Sequence, residues 1–274
     1  MNQQTPNLDG RYTMEPRNRF LSAVMSIVEY EIKRPGSTVT FLSQVDLSSI
    51  ERVRAAAAQS GTRKPSYTAF VMKALALAVR EHPYANRRLV RLPLLGPRVQ
   101  RFTHIDAAVL IERELPDAPM VAFVDMIRDA DGLGLDTLTS RLHDLAVSDA
   151  SSNQQWASFS FIINRLPRFL ARWVIRLPVL VPTLWVQYRG GAFVISSPAK
   201  YGVDMIAATW PWPLGVSFGL VKDRPLVQAG ALVVRPTFTL TLNFDRRVMA
   251  GAQAGRFYKR IVELLEAAET TLTN

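Results

Sequence analysis

Apolar positions recur along this chain with two distinct periods. Phe20, Val24, Ile27, Val28 and Ile32 stand at helical spacing in a run that Pro35-Gly36 stops, which predicts a helix. Ser37–Val45 (STVTFLSQV) alternates and is rich in β-branched residues, which predicts a strand. Asp46-Leu-Ser-Ser then opens a helix running to Ala58, closed by Ser60-Gly61. Tyr67–Glu81 is apolar nearly all round, with Lys73, Arg80 and Glu81 its only charges. A helix of that composition lies buried between other elements, and His82-Pro83 ends it. Ile105–Ile111 and Met120–Ile127 read as strands, and Leu133–Ala146 as an amphipathic helix carrying His143 on its surface.

The last third is mostly strand. Ala192–Ser196, Leu214–Leu220, Ala231–Val234 and the alternating Thr237–Phe244 are its candidates. Gly251–Ala268 closes the pattern as a helix with Phe257, Ile261, Leu264 and Leu265 on one face. No internal repeat and no Gly/Ser-rich linker divides the chain. The order therefore predicts one α+β domain over residues 17–274, with residues 1–16 as a loose polar tail.

Composition narrows the chemistry. With no cysteine among 274 residues there is no disulfide, thiolate metal site or cysteine nucleophile, and three histidines (His82, His104, His143) do not suggest a His-rich metal site. The opening residues lack an apolar signal core, and no long stretch is free of charge or proline. The expectation is a soluble cytoplasmic chain. The net charge of +10 suits an anionic partner. Arg87, Arg88, Arg91, Arg98 and Arg101 concentrate that charge around Leu-Pro-Leu-Leu-Gly-Pro, first of all as a solvated loop and strand edge. Nucleic acid is not expected there, because interleaved aromatics and any nucleic-acid motif are missing.

Five stretches in order resemble one family. They are Ser37–Asp46 (STVTFLSQVD), Thr68–Asn86 ending in His-Pro-Tyr-Ala-Asn, and His104–Ile111 followed by Val121–Asp131 (VAFVDMIRDAD). Gly190–Ser197 (GGAFVISS) with Tyr201-Gly-Val-Asp204 is the fourth, and Asp245–Gly251 (DRRVMAG) before a closing helix is the fifth. Together they resemble the catalytic domain of the 2-oxoacid dehydrogenase acyltransferases, the E2 component. The resemblance implies the chloramphenicol-acetyltransferase-like fold, a two-layer sandwich of a mixed sheet with helices. It also implies a homotrimer with its sites in channels between subunits.

In that family a histidine takes the proton from a thiol of coenzyme A or dihydrolipoamide, and the thiolate attacks an acyl thioester. A serine from the facing subunit stabilises the oxyanion, and an aspartate holds the site's geometry. Carried onto this chain, the serine falls on Ser196, the histidine position is Arg246 and the aspartate position is Ala250. Arginine stays protonated near neutral pH and is no base. The resemblance therefore implies a coenzyme A or acyl-carrier thioester channel without its proton acceptor. No metal is expected, and no lipoyl domain either, because the chain has no room for one and shows no linker. Arg246 has a plain structural reading too, a surface or ion-paired arginine at a strand end with Asp245 as a candidate partner, and Ser196 one as a strand-end serine. His104 is a weak substitute base, while His82 matches a structural turn of the family. The Arg87–Arg101 cluster becomes a possible landing site for coenzyme A phosphates.

Residues 156–189 read as an insert the family does not explain. Arg165, Arg168, Arg172 and Arg176 are spaced three, four and four, one stripe of a helix that Pro167 would start. Packing on a trimer neighbour, an anionic membrane surface and an acidic partner all fit such a stripe. Three functions remain open: an acyltransferase of altered mechanism, a non-catalytic structural or assembly subunit, and a peripheral membrane protein acting through that helix.

Overall fold

The computed structural model describes residues 10–15, 37–92, 96–115, 118–148, 153–167, 170, 174, 177–208 and 210–273. The helix expected over Phe20–Ile32 lies outside the described residues. The strands are β1 Tyr12–Glu15, β2 Thr38–Asp46, β3 Arg87–Leu92, β4 Gly96–Phe102, β5 Ala107–Leu115, β6 Ala118–Ile127, β7 Phe193–Ser196, β8 Leu214–Phe218, β9 Lys222–Gln228 and β10 Ala231–Asp245. The helices are α1 Ser48–Gln59, α2 Tyr67–Glu81, α3 Leu135–Val147, α4 Gln154–Arg165, α5 Pro182–Arg189, α6 Gly251–Glu266 and α7 Ala268–Thr271.

A seven-stranded sheet has the order β2-β10-β8-β7-β5-β6, with β9 pairing the early part of β10. It is mixed: β5, β7 and β8 run parallel, and the other pairings are antiparallel. β1, β4 and β3 form a separate antiparallel sheet. This is the α+β two-layer arrangement that the sequence implied.

Alternation decides which face of the large sheet is which. Phe238, Leu240, Leu242 and Phe244 of β10 are all buried on the core face with Phe193, Ile195 and Val216, under α2 and α6. Each such side chain contributes about 1.5–3 kcal/mol by leaving water. The intervening Thr241 and Asn243 point to the second face, where Trp185, Trp212, Val194 and Ala108 form a smaller cluster.

The nearly all-apolar helix α2 is buried from Ala69 to Val79 as its composition requires. Its one internal charge is accommodated locally. Lys73 Nζ donates to the carbonyls of Asp131 at 2.8 Å and Leu133 at 2.7 Å, so burial pushes its pKa down without leaving the ammonium bare. At the start of α1, Asp46 Oδ1 accepts from the Ser48 backbone N–H at 2.8 Å and its hydroxyl at 2.6 Å.

Three features differ from the pattern reading. The Arg87–Arg101 stretch is a hairpin, β3 and β4, and Arg88 on it is only 4% exposed rather than solvated. Tyr12–Glu15, within the stretch read as a tail, pairs with β4. Residues 231–245 form one strand across Pro236, because that residue sits where β10 pairs with β9 just before β2 takes over at Thr237. A proline is tolerated at such a position because its missing N–H costs no ladder bond in a central strand. The partner β9 escaped notice for a similar reason, with Pro225 and three charges in seven residues.

Candidate active site

Ser196 is the last residue of β7, half-buried on the second face of the sheet. The pairing Ser196–Ser217–Thr241 places three hydroxyl side chains in one cross-strand row. Its neighbour Ser197 is structurally committed, donating to the Phe218 carbonyl at 3.0 Å. The Ser196 hydroxyl makes no hydrogen bond among the described residues. It lines a cleft of about 530 Å³ together with Arg63, Lys64, His143 and Lys200. At the mouth Glu112 accepts from Lys200 and, at 2.6 Å, from the Tyr201 hydroxyl. The Lys200 contact holds the Glu112 carboxyl below its ordinary pKa and pushes the ammonium up. Sequence reasoning missed this cluster, because Glu112 and Lys200 stand 88 residues apart.

The glycine pair before β7 has a direct physical cause. Gly190 takes a φ of 74°, and a Cβ on Gly191 would stand 2.7 Å from the Asp106 carbonyl oxygen. The Asp106 carboxylate, 3% exposed, accepts from Arg128 Nη1 at 2.6 Å. The same guanidinium donates to the carbonyls of Val186 at 2.7 Å and Gln187 at 3.1 Å. Arg128 therefore ties α5 to the strand that carries Ser196's neighbours.

The second half of the expected site is the turn after β10. Its ion pair is not the one anticipated. Asp245 is gripped by Arg247, whose Nε lies 2.8 Å from Oδ1 and whose Nη2 lies 2.6 Å from Oδ2. Arg247 also donates its backbone N–H to the same carboxylate at 2.9 Å. Arg246 is exposed, and its backbone N–H donates to the Ser37 carbonyl at 3.1 Å. Ala250 is the N-cap of α6, and its methyl group supplies no capping oxygen; Gln253 Oε1 accepts from its N–H at 3.2 Å.

Ser196 and Arg246 do not meet within one chain. Thr241 is the residue of β10 level with Ser196, and Arg246 lies five residues beyond it and two strands across. At about 3.3 Å per residue and about 4.8 Å per strand, the separation is about 19 Å.

Two of the three histidines have partners of their own. His82 Nδ1 lies 3.0 Å from the Ala78 carbonyl, and its ring packs edge-on against Tyr84 and Phe257. His104 Nδ1 lies 2.6 Å from Asp129 Oδ1, at the end of the sheet away from Ser196. His143 is exposed on α3 at the Ser196 cleft. Arg165 ends α4, and Leu166 after it is extended, so Arg165 does not share a helix with the arginines that follow. Arg168, Arg172 and Arg176 lie outside the described residues. Among the described residues no helix is long and apolar enough to cross a membrane, and no group of three His, Cys, Asp or Glu is placed to hold a metal ion.

A mixed sheet with α2 and α6 packed over its core face and a serine at the end of an inner strand defines a chloramphenicol-acetyltransferase-like domain. Residues 30–158 and 185–273 match the family 2-oxoacid dehydrogenases acyltransferase (catalytic domain), and the chain belongs to it. The unmatched residues 159–184 fall inside the segment read as an insert. The chain is 28% identical over 241 residues to the dihydrolipoyllysine-residue acetyltransferase component of the Pseudomonas aeruginosa pyruvate dehydrogenase complex, covering 85% of this chain and 37% of that protein. It is 22% identical over 242 residues to the succinyltransferase component of the Escherichia coli K12 2-oxoglutarate dehydrogenase complex, covering 86% and 50%. The chain spans half or less of the length of the curated relatives it matches.

Among solved structures, the Azotobacter vinelandii dihydrolipoamide acetyltransferase superposes with a TM-score of 0.62 at 21% identity, covering 94% of this chain and 93% of that one. Chloramphenicol acetyltransferase gives 0.53 at 13% identity, covering 92% and 100%.

Proposed function

We propose that this domain binds an acyl thioester of coenzyme A or an acyl carrier in a channel between subunits of a homotrimer. Acyl transfer there is impaired or altered, because Arg246 and Ala250 replace the base and its orienting partner. The observation that carries this reading is an arginine in the signature turn of an otherwise retained family fold. The Azotobacter protein was studied for a serine, a histidine and an asparagine in its catalytic mechanism, the last two four residues apart. Arg246 and Ala250 have the same spacing.

The separation of Ser196 from Arg246 supports a site completed by a second subunit. In the proposed reaction a thiolate adds to the thioester carbonyl, and the Ser196 hydroxyl donates a hydrogen bond to the resulting oxyanion. Collapse of that intermediate expels the first thiolate. Arg246 can attract a thiolate or a phosphate but accepts no proton. Transfer then draws on the thiolate already present in solution, which for an ordinary thiol of pKa about 8.5 is a few per cent at pH 7. Losing the general base costs about 10²–10⁴-fold in rate.

An assay of acetyl transfer from acetyl-coenzyme A to dihydrolipoamide tests the reading. The expected rate is low, rises about tenfold per pH unit below the thiol pKa, and falls further in Ser196→Ala. A rate independent of Ser196 would overturn the assigned role. Complete inactivity with retained coenzyme A binding would favour the second reading, a non-catalytic assembly subunit, which the loss of both signature side chains also supports.

A further inference from the structure

A second cavity lies beside the signature turn, on the face of the sheet away from the main core. Its volume is about 130 Å³, and Leu89, Trp210, Pro211, Trp212 and Pro213 form its apolar walls. Three of the residues that line it each hold an N–H donor buried without an acceptor among the described residues: Arg88 Nη2, Trp210 Nε1 and Asn243 Nδ2. Native interiors rarely leave such a group unpaired, and here three belong to residues around one small cavity.

Each donor is held in place by contacts of its own. Arg88 donates from Nε to Gln100 Oε1 at 2.7 Å and from Nη1 to the Val179 carbonyl at 3.1 Å, and its guanidinium lies 4.0 Å from the centre of the Trp185 ring. Asn243 accepts the Thr40 hydroxyl at 2.6 Å through Oδ1, which commits its amide oxygen and leaves the NH₂ unpaired. Trp210 covers Gly215, the residue paired with Asn243 across β8 and β10; a Cβ on Gly215 would stand 1.8 Å from the indole Cδ1. Gly215 is thus the reason the indole can lie beside Asn243 at all.

The charge in this cavity is as unbalanced as the hydrogen bonding. Arg88 is 4% exposed and has no carboxylate partner among the described residues. Asp245 also lines the cavity, but Arg247 occupies both of its oxygens. Arg88, Arg247 and Asp245 together leave one positive charge uncompensated. Burial pushes the Arg88 guanidinium down to about 9, the direction that a bound anion would reverse. Water can accept hydrogen bonds here but brings no charge, and a buried unpaired cation is costly.

We propose that this cavity is a binding site for a short-chain carboxylate, held by Arg88 Nη2, Trp210 Nε1 and Asn243 Nδ2 with its hydrocarbon end against the tryptophan and proline walls. The proposal is independent of acyl transfer and survives if the domain has no such activity. The apolar walls favour a carboxylate over inorganic phosphate, which has no apolar part to place against them.

Thermal unfolding of the full chain at pH 8 and constant ionic strength tests it, with acetate, propionate, phosphate and chloride as the varied anions. A ligand that binds only the folded state raises the unfolding temperature in a saturable way. Acetate and propionate should do so, and chloride should not. Trp210→Phe keeps an aromatic ring over Gly215 but removes the indole N–H together with part of the ring, so it should raise the half-saturating concentration roughly tenfold or more, as expected for one lost hydrogen bond to a charged group. Arg88→Met should abolish the response, and Trp210→Phe keeps the test decisive if Arg88→Met fails to fold. No saturable response to the carboxylates, an equal response in Trp210→Phe, or a response to phosphate alone would each overturn the assignment.

Discussion

Ser196 and Arg246 stand at opposite ends of one sheet, two strands apart and about 19 Å from each other by strand spacing. A site that uses both positions must therefore draw them from different chains. The matching prediction is complementation. Chains carrying Arg246→His and Ala250→Asp together with Ser196→Ala should be nearly inactive alone, as should wild-type chains. Mixed oligomers should regain transfer, since one chain brings the serine and the other the base. Activity of the mixture no greater than the sum of its parts would argue for a site within one chain.

Arg247 is a structural member of the signature turn. Its fork on Asp245 is bidentate and only part-exposed, at 27% for the arginine and 16% for the carboxylate. Charge-assisted pairs of this geometry are worth about 1.5–3 kcal/mol. Arg247→Met should lower the unfolding free energy by about that amount in denaturant titration, with the slope of the transition unchanged.

Two glycines separate close approach from mere presence. A Cβ on Gly219 would lie 1.8 Å from the Asp204 carbonyl oxygen, a backbone atom that cannot swing aside. Gly255 lies within α6 with nothing within 4 Å of its would-be Cβ. Gly219→Ala should cost about 3 kcal/mol or more, and Gly255→Ala should gain about 0.5–1 kcal/mol from helix propensity. Chemical denaturation of the two variants checks both signs.

How far the sequence foretold these features depended on the range of the interaction that decides each one. Tyr67–Glu81 was legible to its end residues because its burial is written in one unbroken apolar run. The alternation of Thr237–Phe244 likewise announced a strand with two unlike faces. The β3–β4 hairpin was not legible, because Arg88 is an arginine that the fold buries against Trp185 and Gln100, partners distant in sequence or across the hairpin. Pro225 and Pro236 hid an edge pairing for the same reason: local propensity counts against proline, while the register shows where its missing N–H does no harm. Of the site, the position of Ser196 at a strand end was legible from the Gly-Gly block and the apolar run after it. Arg247 as the partner of Asp245 was not, since Arg246 and Arg247 are chemically equal until the turn geometry separates them.

The helix pair α2 and α6 carries an ion pair with a pH signature. Arg260 Nε lies 2.6 Å from Glu81 Oε2, and this hydrogen bond holds the Glu81 carboxyl below its ordinary value of 4.5. A carboxyl depressed in the folded state adds stability above its unfolded pKa and loses it as pH falls through the folded one. Both side chains are a third or more exposed, so solvent screening keeps the pair to about 0.2–1 kcal/mol. Glu81→Gln should therefore be slightly less stable than wild type at pH 7, with the difference vanishing as pH drops below 4.5. A difference that persists at acid pH would assign the effect to packing instead.

Restoring the missing proton acceptor is the most direct test of the central claim, that this domain keeps the acyltransferase site but lacks its base. Transfer from acetyl-coenzyme A to dihydrolipoamide should be measured at pH 7 for wild type, for Arg246→His with Ala250→Asp, and for that pair combined with Ser196→Ala. The expected outcome is a low wild-type rate, a rise of about 10²–10⁴-fold in the double variant, and loss of about 10²–10³-fold when Ser196 is removed from it. A wild-type rate equal to that of the double variant would contradict it.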